Sequence, residues 1–188
     1  MSSAERSPMR VLGIDPGTAI TGYGVVEEAA DKLHPGGNPK PLTFGVIRTP
    51  AGQPLPARLQ LIYRAVRDLA TEWEPTTAAV EELFFSSNVR TAMSVGQARG
   101  VALLALADAG LDVVEYTPLT VKQAVTGYGN ADKAQMQEMV RLLLGLVEVP
   151  RPDDAADALA VAICHFHSAR LTALLDDSLP PRGGKGRG

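Results

Sequence analysis

Cysteine is almost absent: Cys164 is the only one in 188 residues. A lone thiol cannot close an internal disulfide or build a multi-cysteine zinc site. A reducing, cytoplasmic setting is the simplest expectation. Aromatic residues are sparse, at 5%. Nowhere do about 18 apolar residues run consecutively, so no membrane span is expected. The opening MSSAERSPMR holds no hydrophobic stretch, which argues against a secretory signal. Lysine is scarce too, with five in the chain, at 32, 40, 122, 133 and 185. The formal net charge of −3 lacks the excess of cations expected of an obvious nucleic-acid binder. That total hides distribution. If several acids serve one site, the remaining surface is less acidic than the sum implies.

What is present has a clear order. MRVLGIDPG reads as a strand stopped by Pro16-Gly17. TGYGVVEEA and LTFGVIRT are two more strands, and the short connections suggest an antiparallel meander. The period then changes. Leu55, Leu59, Ile62, Val66, Leu69 and Trp73 recur at helical spacing, up to Pro75. TTAAVEELF is a fourth strand and LDVVEY a fifth. Between them residues 88–109 form a long helix, capped by Ser87 or Asn88 and ended at Gly110. Thr117-Pro118 starts a short helix to about Ala124, Asn130 caps another through about Leu144, and Pro152 takes the first position of the last, which reaches about Leu175. The expected class is α/β: one domain over residues 9–176 around a five-stranded mixed sheet flanked by helices. Residues 1–8 read as a leader and 177–188 as a basic, flexible tail.

The acids carry the chemistry. In RPDDAADALAVAIC, Asp153 and Asp154 occupy a first helical turn, where complementing the helix dipole is reason enough for an acid. Asp157 is different, because Ala160, Val161 and Cys164 share its face and look buried. An ionised carboxylate there needs a partner. Asp154 lies three residues before Asp157, so both point to one side. Asp15 ends the first strand, and Glu81 and Glu82 follow the apolar run Ala78-Ala79-Val80. Side chains alternate along a strand, so one of these two glutamates faces the core or the sheet rim; periodicity alone leaves open which. Taken singly, each acid reads as an ordinary strand-end or surface group. Together they supply oxygen ligands from two strands and a helix, and gathered carboxylates repel unless a cation neutralises them. Hard-ion chemistry points to Mg²⁺ or Mn²⁺. Such a set can hold two ions about 3.5–4 Å apart, the arrangement that cleaves phosphodiesters.

Glycines surround Asp15 at 13, 17, 22 and 24. They read as a tight hairpin, or as room for a phosphate backbone to approach. A similar Asp-Gly-Thr hairpin grips nucleotide phosphates in actin-like and sugar-kinase ATPases, which makes such a protein the first rival reading. It would need a second half and a further glycine motif, and no second DxGxT is found here. Gly96 and Gly100 lie on one face of the long helix, suited to packing on the sheet or to a helix–helix contact with a second copy.

The segments GIDPGTAITGYGVV, VEELFFSSN, GQARGVALL, VKQAVTGYGNADKAQMQ and DDAADALAVAICH resemble, in order and spacing, the RuvC family of Holliday-junction resolvases. The resemblance runs from about Met9 to His167. It implies a ribonuclease-H-like fold, a homodimer and a metal-dependent endonuclease that nicks four-way DNA junctions. It also implies RuvA and RuvB branch-migration proteins as partners. It assigns metal binding to Asp15, Glu81, Asp154 and Asp157, with the Asp154 position histidine in some members. It places Lys122 and Lys133 near the scissile strand and Phe84 against DNA at the junction. The connection at 31–40 looks longer than the family pattern, and the leader is extra. A non-catalytic junction-binding module is the second rival, which the full set of carboxylates opposes. His165 and His167 are expected to be structural.

Overall fold

The computed structural model describes residues 7–29, 37–82 and 89–178. Phe84, the cap expected at Ser87 or Asn88, most of the leader and of the 31–40 connection, and the tail beyond Ser178 lie outside the described residues.

Five strands form one mixed sheet: β1 (Arg10–Asp15), β2 (Ile20–Glu27), β3 (Lys40–Arg48), β4 (Thr77–Glu81) and β5 (Val113–Tyr116). Their order is β3-β2-β1-β4-β5. The first three form the expected antiparallel meander, while β4 runs parallel to both β1 and β5. Helices cover both faces. On one lie α1 (Leu55–Trp73) and α2 (Val89–Asp108); on the other lie α3 (Pro118–Thr126), α4 (Lys133–Leu143) and α5 (Asp153–Ser178).

Strand alternation divides the core. Leu12, Ile14, Val25, Ala78 and Val80 pack with Ile62 and Val66 of α1 and Ala102 and Leu106 of α2. Val11, Val26 and Ala79 pack with Leu159, Ile163 and Phe166 of α5, Val121 of α3 and Val140 of α4. A helix as apolar as α5 is long enough to cross a membrane by length and composition. Here it is the central core helix: every residue from Ala158 to Phe166 is buried.

Two helix starts differ from expectation. The cap of α4 is Asp132, not Asn130. Its Oδ1 accepts from Gln135 N at 2.8 Å while Gln135 Oε1 accepts from Asp132 N at 3.0 Å. That reciprocal pair satisfies two orphan donors, which a lone asparagine cannot match. It also makes Lys133 the first residue of α4. In α5 the first helical residue is Asp153; Pro152 stands one position before, its carbonyl accepting from Ala155 N at 2.9 Å. The Thr117 cap of α3 is as expected, accepting from Thr120 N at 3.1 Å.

Candidate active site

The parity that builds the core also places the acids. Val11 and Ala79 face α5, so Asp15, four residues on from Val11, and Glu81, two on from Ala79, reach the same face at the strand ends. Glu82 follows the last residue of β4 and is exposed. Glu81 is therefore the inward glutamate.

The glycines explain how α5 comes so near, and for three of them the reason is not the backbone freedom of a turn. Gly13 and Gly24 are cross-strand partners, and Gly22 pairs with Asp15. A Cβ on Gly22 would overlap the backbone carbonyl of Asp154, one on Gly24 would lie 2.7 Å from the Leu159 side chain, and one on Gly13 would lie 2.7 Å from Ala162 N. Together they form a floor without side chains on which the alanine-rich side of α5 rests. Only Gly17 sits in the turn after β1, next to Ile20. That turn is tied down: Thr18 Oγ1 donates to Ser94 O at 2.7 Å, and Thr18 O accepts from Thr49 Oγ1 at 2.6 Å and Arg58 Nη2 at 3.0 Å. Gly22→Ala should therefore lift the first turn of α5 away from Asp15. We expect a loss of about 1–3 kcal/mol, the usual cost of overpacking, read as a lower unfolding temperature, together with slower catalysis.

The result is a cluster of like charges. Burial, then the charges of Glu81, Asp157 and Asp154, push the Asp15 carboxyl up to about 8. Asp15 and Glu81 share a hydrogen bond. Burial and then Asp157 raise Glu81. Asp157 is raised by burial, although Lys133 works against the shift. Lys133 Nζ lies 3.6 Å from Asp157 Oδ2 and 3.1 Å from Asp153 Oδ2. Lys133 is exposed, and although desolvation works against it, Asp153 and Asp157 raise its pKa and hold it charged.

An open cleft of about 260 Å³ gives access. Glu81, Asp157, Lys122 and Lys133 line it above an apolar floor of Val121, Met136 and Ala160. Asp154 lines a neighbouring recess with Gly17, Thr18, Arg58 and Ser94. Six of the residues singled out in the sequence are thus drawn together or set side by side, and the seventh, Phe84, is outside the described residues. By sequence Asp153 has only a helix-dipole role, which its contacts exceed; its closeness to Lys133 across α4 and α5 leaves no trace in local spacing. His165 is structural as expected: it is buried, with Nε2 2.9 Å from Thr77 Oγ1 and Nδ1 2.9 Å from the Tyr116 hydroxyl.

The donor set suits a hard divalent cation. It is all oxygen, half-buried, and crowded enough to keep an acid protonated without one. Among the described residues no three such side chains already stand in ligand geometry.

Acids at the ends of two adjacent parallel strands, facing acids on a helix laid across them, define a ribonuclease-H-like protein with a candidate phosphodiester-cleaving centre. Known proteins narrow the class. The family model for crossover junction endodeoxyribonuclease RuvC matches residues 11–165. A curated RuvC from Chloroflexus aggregans is 62% identical over 86% of this chain and 94% of its own length. One from Desulfitobacterium hafniense is 58% identical over 87% and 95%. Among solved structures, T. thermophilus RuvC in complex with Holliday junction substrate superposes with a TM-score of 0.79 at 40% identity, covering 87% of this chain and 96% of that one. The yeast mitochondrial Holliday junction resolvase Ydc2 shares the fold, with a TM-score of 0.64 at 15% identity. The chain belongs to the RuvC family of crossover junction endodeoxyribonucleases.

Proposed function

We propose that this chain resolves four-way DNA junctions by paired symmetric nicks, using Asp15, Glu81, Asp154 and Asp157 to hold Mg²⁺ or Mn²⁺, two ions per site. The observation that carries the site assignment is the convergence of these four acids, with two lysines in the adjoining cleft. A bound divalent pair supplies Lewis acidity to the scissile phosphate and its leaving oxygen. The reaction is in-line attack of water on phosphorus. The bond to the 3′ oxygen breaks, leaving a 5′-phosphate and a 3′-hydroxyl that can be ligated. Lys122 and Lys133 donate to the non-bridging oxygens as charge builds there. Phe84 contacts unpaired bases at the crossover, where stacking is worth about 1–3 kcal/mol.

Two nicks related by a two-fold axis call for a C₂ dimer. The outer face of α2 supports one: Met93 and Leu104 are exposed, and a Cβ on Gly100 would meet open space. Gly100 therefore does not pack on its own sheet, which leaves that side of α2 open to a second copy. RuvA and RuvB are the partners this reading supplies, and the cytoplasm its location.

The test is nicking of a labelled synthetic junction beside a linear duplex of the same sequence, in Mg²⁺, Mn²⁺ or chelator. We expect paired, religatable nicks in the junction alone, and only with metal. Metal-independent cutting, or equal cutting of the duplex, would contradict the proposal.

A further inference from the structure

Asp153 is only partly exposed and stands at the first helical position of α5, where an acid needs no special explanation. Its contacts ask for one. Oδ2 accepts from Lys133 Nζ at 3.1 Å, and Oδ1 accepts from Arg151 Nη1 at 2.8 Å. Each carboxylate oxygen carries one cation. The same ammonium lies 3.6 Å from Asp157 Oδ2, so it is shared between two acids and sits nearer the one outside the metal-binding set.

We propose that Asp153 is a positioning residue: it anchors Lys133 at the cleft and keeps the ammonium from closing onto Asp157. The proposal rests on the placement of Lys133 at the scissile phosphate and of Asp157 on the metal. Lysine is a flexible point charge with three rotatable donors. Left with Asp157 alone, Lys133 would settle on that half-buried carboxylate. It would then compete with a divalent cation for the same oxygens and turn its donors away from phosphate. Asp153 pulls it outward, and Arg151 fixes Asp153 in turn from the solvent side. The shared contact is possible because Lys133 opens α4 while Asp153 opens α5, so the two helix starts meet over the cleft.

A double-mutant cycle tests this with two readouts: Mn²⁺ affinity of the DNA-free protein by calorimetry, and single-turnover nicking of saturating junction. We expect Asp153→Ala to weaken Mn²⁺ binding and slow nicking, each by about fivefold, the upper range for an exposed ion pair. In the Lys133→Ala background the same change should do nothing, so the double variant matches Lys133→Ala alone. Equal effects of Asp153→Ala in both backgrounds would mean a general charge or helix-end effect and overturn the proposal; so would no effect in either. If Lys133→Ala nicks at the wild-type rate, the role of Lys133 at phosphate fails, while the Mn²⁺ arm still decides whether Asp153 restrains it.

Discussion

Asp15→Asn, Glu81→Gln and Asp157→Asn should each slow single-turnover nicking of a saturating junction by about 10³-fold or more, while junction affinity holds or rises. The size follows from removing charge stabilisation at the reacting phosphate, where losing even one donor costs about 10²–10³-fold. The separation from binding has its own cause. In the proposed complex these acids would face the DNA backbone, and removing a negative charge there reduces repulsion. Each substitution keeps the side chain's shape, and Asp15 already behaves as a neutral hydrogen-bonding group without metal. Asp154→Asn should lose less, because Asp154 lines the adjoining recess rather than the cleft. Single-turnover rates beside equilibrium binding decide the matter. Parallel loss of binding and cleavage in all the variants would mean the acids serve the fold.

In chelator, Asp15→Asn should make the protein more stable than the wild type, increasingly so as pH rises towards 8. The Asp15 carboxyl, ordinarily near 3.8, is raised to about 8 in the folded state, through burial and then the charges of Glu81, Asp157 and Asp154. Between those values the folded chain holds a proton that the unfolded chain has released. The contribution of Asp15 to stability is thus fully present below about pH 4 and is lost as pH rises through about 8. Glu81 and Asp157 are shifted in the same sense. An asparagine has no proton to lose. We expect its melting temperature at pH 8 to exceed that of the wild type by several degrees, at about 2–4 °C per kcal/mol for a domain of this size. Saturating Mg²⁺ should reverse the order. A difference in melting temperature that stays constant from pH 5 to about pH 8 would show that the Asp15 proton is not linked to folding.

Much of this was legible in the residues. Asp15 at the end of an apolar strand, and Asp157 on an apolar helix face, stand out because a charge in such surroundings needs a partner. Glu81 did not separate from Glu82 by pattern alone. The choice depends on which face of β4 meets α5, a tertiary fact that Ala79 discloses only once the helix is seen against it. The glycines were legible as special but not for the right cause. Turn chemistry and phosphate access are the local meanings of glycine, whereas Gly13, Gly22 and Gly24 answer to a helix about 140 residues away in the chain. The start of α4 was misplaced by two residues, since asparagine and aspartate cap equally well and only the reciprocal bond to Gln135 decides. Asp153 was passed over because its partner lies on another helix.

Metal binding by the DNA-free protein is the most direct test of the four-carboxylate site. Mn²⁺ can be titrated by calorimetry near pH 7 in two buffers of different ionisation heat, for the wild type and for Asp15→Asn. The buried, mutually repelling acids require that Mn²⁺ bind with release of about one proton per site, and that Asp15→Asn both weaken binding and abolish the proton release. No Mn²⁺ binding, or binding whose heat is the same in both buffers and unchanged by Asp15→Asn, would contradict the assignment of these carboxylates to a catalytic metal.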